Sequence, residues 1–179
     1  MDVSLDWWRQ YIPDDLPVLE RDVVRLVVLD AERLVLLFDA GDRTNPAAGR
    51  CWELPGGGIE TGETYTAAAV RELAEETGIV IAEAAVGQPR WRRTASYRYR
   101  GRRRVQHEQV TVIHLPVRQP RVLTTGRDAD ERQDCGSYRW WPVPEIANST
   151  DRFYPGRLPE LLPRLLAGEI INEPFELWS

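Results

Sequence analysis

A run of three glycines behind a proline, Pro55-Gly56-Gly57-Gly58, with a glutamate-rich stretch shortly after it, limits this chain more than any other feature. Consecutive glycines are unfavourable inside a helix or a strand, so this run is a loop. Thr64 to Thr77, closed by Gly78, then reads as the helix that the loop leads into. With Glu72 set at zero and about 100° per residue, Glu76 falls near +40°, Glu75 near −60° and Arg71 near −100°. Three carboxylates therefore share one arc, while Thr66, Val70, Leu73, Ala74 and Thr77 form an opposite face of small and apolar residues that suits packing on a sheet. Carboxylates three and four residues apart repel by a few tenths of a kcal/mol per pair. They also lie toward the helix C-terminus, where the macrodipole disfavours anions, and Arg71 offsets only part of this. A solvated acidic face is the ordinary reading of such a helix. The glycine loop shifts the balance, because it brings backbone amides and carbonyls close to whatever the carboxylates hold. Oxygen-only ligands at a partly open cluster favour Mg²⁺ or Mn²⁺, which commonly bridge to phosphates, so a phosphate ester or anhydride is the implied substrate.

The rest of the chain supplies layers for that helix to pack between. Val23–Leu29 and Arg33–Phe38 are aliphatic runs separated by Asp30-Ala31-Glu32, as in a hairpin buried on both faces. A turn-rich loop follows from Asp39 to Arg50, and Trp52–Leu54 reads as a short strand. Further strands are expected near Thr94–Arg100, Val105–Val117 and Ser137–Val143, with a polar stretch from Arg118 to Asp134 before the last. A final helix from Leu158 to Ala167 places Leu158, Leu161, Leu162, Leu165 and Leu166 at helical spacing, with Pro163 inside it or bending it. Regular βα alternation is missing. The expected class is therefore α+β, a mixed sheet between helices, in one domain from 21 to 179 with residues 1–20 as an arm packed on it.

Composition excludes several chemistries. The chain has 179 residues and no lysine, so all 23 of its Lys+Arg positions are arginine, against 28 acids and a net charge of −5. Without lysine there is neither a Walker-type phosphate lysine nor Schiff-base chemistry. Two cysteines, Cys51 and Cys135, are too few for a disulfide scaffold or a four-cysteine zinc site, and they read as reduced thiols of a cytoplasmic protein. The start of the chain has no signal-peptide core, and the apolar runs fall far short of the roughly 20 residues that a membrane helix needs. His107 and His114, seven apart on one strand, face opposite sides.

The segment Gly57, five residues, Glu63, seven residues, Arg71-Glu72-Leu73, Ala74, Glu75-Glu76, Thr77, Gly78-Ile79 matches every fixed position of the Nudix box, G-x5-E-x7-R-E-U-x-E-E-x-G-U with U aliphatic. The motif covers 23 residues and nine restricted positions, which leaves little room for coincidence. Trp52-Glu53-Leu54-Pro55-Gly56-Gly57-Gly58 resembles the glycine-rich approach to that box, and from about Val23 to Ala167 the chain is similar to the family's α/β/α sandwich. The resemblance implies a hydrolase that cleaves the pyrophosphate of a nucleoside diphosphate linked to another moiety, using Mg²⁺ or Mn²⁺. It assigns Glu72, Glu75, Glu76 and the Gly57 carbonyl to the metal, Arg71 to orienting the carboxylates and Glu63 to bracing the loop on the helix. The general base is Glu72 or a carboxylate outside the box, for which Glu108 and Glu131 are the candidates. A nucleotide-type small molecule is the expected partner and a homodimer the expected assembly, with no membrane.

Two other readings stay open at the level of sequence. From Arg90 to Arg104 there are eight arginines and no acid, interleaved with Trp91, Tyr97 and Tyr99, so that the remainder carries −13. Such a hairpin, turning at Gly101, suits RNA binding or an RNA 5′-pyrophosphohydrolase, and equally suits outward arginines paired with the acidic remainder. A Nudix-fold nucleotide-binding regulator is the other reading, although an eroded box, its usual sign, is not seen. Trp52, Tyr97 and Arg98 are the substrate-contact candidates. Tyr97, 18 residues past Ile79, leans toward dinucleoside polyphosphates, but one tyrosine in an aromatic-rich strand does not decide the substrate.

Overall fold

A computed structural model of the chain describes residues 7 to 178. The start of the expected N-terminal arm, residues 1–6, lies outside the described residues. Its remainder holds a 3-10 turn at Trp7–Tyr11, in which Trp8 stacks on Phe175 and meets the His107 ring at 5.5 Å. The expected boundary at residue 20 falls inside a strand, because β1 runs from Val18 to Leu29.

Among the described residues the strands form one mixed sheet in the order β7-β3-β2-β1-β5-β4-β8, with β6 also paired to β2. They are β1, β2 (Val35–Gly41), β3 (Arg50–Glu53), β4 (Trp91–Tyr99), β5 (Arg102–His114), β6 (Cys135–Trp141), β7 (Phe153–Tyr154) and β8 (Ile171–Leu177). β1 pairs parallel with β5 along its whole length, and β4 and β5 form the antiparallel arginine hairpin, with Tyr99 opposite Arg102. Two strands were not legible in the sequence. The short β7 joins β3, and β8 adds a parallel edge to β4.

Each face of the sheet carries a core. On one side Val24, Leu26, Val28, Leu36 and Phe38 pack against Ala68, Ala69 and Leu73 of helix α1 (Tyr65–Thr77). On the other, Val27, Leu29, Val35 and Leu37 meet Leu158, Leu161, Leu162 and Leu165 of α4 (Leu158–Leu166). β1 alternates between the two, and burial on both faces explains its unbroken aliphatic run. Two short helices, α2 (Ala129–Asp134) and α3 (Val143–Asn148), flank β6. This is the expected sandwich. No described helix is long and apolar enough to cross a membrane.

The feature that creates the site is a divergence. β1 and β2 pair only at Leu29 and Val35, then part, and Pro55–Gly58 fills the gap: the Leu26 amide donates to the Pro55 carbonyl at 2.9 Å and the Val24 amide to the Gly57 carbonyl at 3.0 Å. At Gly56 only glycine fits this approach, and a side chain at Gly57 would displace Glu72. A Cβ on Gly56, whose φ is +132°, would lie 2.1 Å from the Val24 carbonyl oxygen, and one on Gly57 would lie 2.5 Å from the Glu72 carboxylate.

Candidate active site

Helix α1 is set by its ends. The Thr64 side chain accepts the Ala67 amide at its start, and Gly78 closes it in the left-handed conformation with its amide on the Ala74 carbonyl. This fixes which face meets the glycine loop. Arg71 fastens helix and loop together. Its Nε and Nη2 donate to the two oxygens of Glu63 at 3.0 and 2.9 Å, Nη2 also donates to the Gly58 carbonyl at 2.8 Å, and Nη1 donates to Glu72 at 2.8 Å and Glu75 at 3.3 Å. The guanidinium holds the Glu63 carboxyl below its usual range. From the other end of the loop, the Gly56 amide donates to Glu76 at 2.8 Å.

Glu72 and Glu76 consequently line a cleft of about 540 Å³ between the parted strands. They share it with Glu53, from the end of β3, and Glu131, from α2. Burial raises the carboxyl of Glu76 to about 8, with repulsion from Glu53 and Glu72 adding to it and the Arg127 charge and Gly56 amide opposing it. Burial likewise raises Glu72 despite Arg71, and raises Glu53 despite the charges of Arg25 and Arg127. Glu75 stands apart, exposed and reached by Arg71. As the side chains stand, no three described His, Cys, Asp or Glu residues converge as a ready ligand set. Glu72 is engaged by Arg71 and Glu76 by Gly56, and the Gly57 carbonyl has one lone pair on Val24.

Several sequence candidates stand elsewhere. Glu108 does not reach the cleft: it is 1% exposed, and its oxygens accept from Arg25 at 3.1 Å, Arg93 at 2.9 Å and Tyr154 at 2.8 Å, so it has no room for a metal or a water. Trp52 is likewise removed from the substrate contacts, because it packs edge-on against Trp141 at 5.2 Å within the α4-side core. Arg98 lies on the cleft margin but is paired with Asp15, and Tyr97 lines the cleft with its ring edge-on to Tyr154 at 5.3 Å. Much of the arginine hairpin is paired with acids in this way: Arg103 with Asp15, Arg100 with Asp130 and Asp134, and Arg93 with Glu108, Glu173 and Glu176. Cys51 and Cys135 also line the cleft, and burial pushes both thiols up to about 12, so neither is a nucleophile near neutral pH.

Sequence reasoning missed Glu53, Arg21 and Arg127 and did not single out Arg104 within the arginine hairpin; all four line the cleft. Arg127 is brought there by Gly126, where a Cβ would lie 2.5 Å from the Glu75 carbonyl oxygen, and its guanidinium lies 3.9 Å over the Phe38 ring. Glu131 is held nearby by the capping box of α2, in which its Oε2 accepts the Asp128 amide at 3.0 Å.

The NUDIX domain model matches residues 19–164, which take in both walls of the cleft and the whole motif. The chain belongs to the Nudix family. An RNA pyrophosphohydrolase of Rhodopseudomonas palustris is 28% identical over 142 residues, 75% of this chain and 80% of that one. Nudix hydrolase 25 of Arabidopsis thaliana is 41% identical over 78 residues, 44% of this chain and less than half, 42%, of the relative. Among solved structures, a MutT protein from Methanosarcina mazei Go1 superposes with a TM-score of 0.53 at 18% identity, covering 78% of this chain and 87% of that one. A C. elegans Ap4A hydrolase does so with 0.51 at 19% identity, covering 83% and 98%. These two establish the shared fold. β8 lies beyond the matched region.

Proposed function

We propose that this Nudix protein is a divalent-metal-dependent pyrophosphohydrolase of a nucleotide-type substrate, with Glu72, Glu75 and Glu76 as metal ligands and the free lone pair of the Gly57 carbonyl as a further one. The observation that carries this reading is the buried pair Glu72 and Glu76 on the glycine loop, of which Glu72 is paired with Arg71 while Glu76, held by the Gly56 amide, has no ion-pair partner within 4.0 Å among the described residues. Its donors are oxygens only, which fits Mg²⁺ or Mn²⁺. Such an ion neutralises phosphate oxygens and lowers the pKa of water.

The remaining steps belong to the chain. Arg71 keeps Glu72 aimed at the loop and Glu63 keeps Arg71 in place, so loop and helix are fastened to each other. Of the two base candidates outside the box, Glu131 is the one on the cleft, and it takes the proton of the attacking water while Glu72, held by Arg71, serves as a ligand.

The reading is tested with purified protein and Mg²⁺ or Mn²⁺ against nucleoside triphosphates, nucleotide sugars, ADP-ribose, dinucleoside polyphosphates and 5′-triphosphorylated RNA. Metal-dependent release of a phosphorylated product that disappears in Glu76→Gln supports it. Flat activity across the panel overturns it. RNA with a 5′-triphosphate is the favoured member, on the strength of the RNA pyrophosphohydrolase relative that aligns over three quarters of this chain.

A further inference from the structure

The wall opposite the carboxylates has a charge imbalance of the other sign. Arg21 and Arg25 of β1 project to the same face as Arg104, Gln106 and Glu108 of β5, since Arg21 is in register with Gln106 and Leu19 with Arg104. β4 continues the face with Arg93, Tyr97 and Tyr99, Tyr97 lying opposite Arg104. At the inner end every arginine is matched, with Arg25 and Arg93 both on Glu108. At the outer end, which opens on the cleft, Arg21 and Arg104 have no carboxylate within 4.0 Å among the described residues, and the Nε of each is buried without a hydrogen-bond partner. Arg104 lies 4.9 Å over the Tyr99 ring, and Tyr99 is fixed by its hydroxyl on Asp134 at 2.6 Å. Arg21 reaches the glycine loop: its Nη1 is 3.2 Å from where a side chain on Gly58 would begin.

Burial, and then the repulsion of Arg104 and Arg25, holds the Arg21 guanidinium below its usual pKa. A pair of cations kept together and partly desolvated is costly unless an anion joins them. The loop that Arg21 touches is the one whose other side carries Glu72 and Glu76. A phosphate chain lying over this loop thus meets the carboxylates on one side and the arginines on the other.

We propose that Arg21 and Arg104 form a phosphate subsite, which takes the oxygens of a substrate phosphoryl group that the carboxylate wall does not engage. The inference rests on the reading of the cleft as a pyrophosphohydrolase site and adds a specificity element to it. Planar guanidinium groups suit this task, since each offers two parallel donors to one phosphoryl group.

Calorimetric titration with inorganic tripolyphosphate in EDTA tests the subsite apart from catalysis. The wild-type chain binds, the double variant R21Q/R104Q binds at least tenfold more weakly, and R102Q, at an exposed position of the same hairpin, binds as the wild type does. Equal affinity in wild type and double variant overturns the proposal, as does no binding by the wild type. Neither arginine has an ion pair to lose, so the double variant should fold. If it does not, R21Q and R104Q tested singly carry the same comparison. Turnover then distinguishes the source of the phosphate. A rise in KM confined to nucleoside or RNA triphosphates marks a terminal phosphate, and a rise that includes nucleotide sugars marks an internal one. A rise in neither overturns the subsite. Absence of metal-dependent hydrolysis in the wild type removes the enzymatic reading while leaving the binding comparison to be decided independently.

Discussion

The two walls of the cleft differ from the sealed network a few residues deeper in the sheet. Around Glu108, two arginines and a tyrosine hydroxyl converge on one carboxylate, and the charges are closed on themselves. On the cleft, Glu76 of α1 and Glu53 of β3 have no ion pair, and Arg21 of β1 and Arg104 of β5 have no carboxylate within 4.0 Å, among the described residues. The same residue types therefore serve two purposes. Where the charges are matched within the chain they hold the sheet together, and where they are separated across a gap they leave both signs for the proposed ligand to match. A metal–phosphate complex has that character. Residue type does not distinguish the two places; the presence or absence of a counter-charge does.

The sharpest way to break the comparison is Glu76→Gln. It keeps size and the bond from the Gly56 amide while removing the charge, and should lower metal-dependent turnover about 10³-fold or more, some 4 kcal/mol of transition-state stabilisation. Circular dichroism should stay unchanged. Near-normal turnover of the folded variant would dismiss Glu76 as a ligand. In the sealed network the opposite pattern is expected. Glu108→Ala leaves the buried Arg25 without its carboxylate and Arg93 with only Glu173 and Glu176, and should cost about 3 kcal/mol of stability, read as a lower urea midpoint, with metal dependence of the remaining activity unaltered. A midpoint equal to that of wild type would mean the network is not closed as described.

A pH series separates the walls more finely. With its carboxyl at about 8 in the folded chain against an ordinary value near 4.5, Glu76 keeps a proton that the unfolded chain gives up. The native state binds more protons through that window, so metal-free stability should fall as pH rises from about 4.5 to about 8. Glu76→Gln should flatten this slope, and Mg²⁺ should restore stability at the upper end by favouring the ionised form. Urea midpoints in EDTA at several pH values check it; a slope shared equally by the variant would assign the effect to other groups.

Much of this was legible in the sequence, for physical reasons. The box residues follow from helical spacing, so Arg71, Glu72, Glu75 and Glu76 fall on one arc by residue count alone, and the glycines announced a close approach that Gly56 and Gly57 indeed make. Aliphatic runs marked β1 and β2 because burial on both faces leaves no alternation to read. What escaped depends on contacts between distant segments. Arg21 and Arg104 are ordinary strand arginines until the parallel register of β1 and β5 puts them on one face. Glu108 looked like a base candidate, and only the convergence of Arg25, Arg93 and Tyr154 shows it to be structural. β8, with polar Asn172, Glu173 and Glu176 along it, has no strand pattern of its own and forms by adding to the β4 edge.

Trp52 offers the smallest and most discriminating substitution. Its place beside the glycine loop in sequence suggested a stacking surface for a base, whereas its ring packs edge-on to Trp141 in the core on the α4 side. Trp52→Phe keeps an aromatic edge there and loses volume, which should cost about 1 kcal/mol of stability. A base-stacking role predicts instead a raised KM with little change in the urea midpoint. A lower midpoint with KM unaltered therefore assigns Trp52 to the sealed side of the molecule, and a raised KM would return it to the cleft.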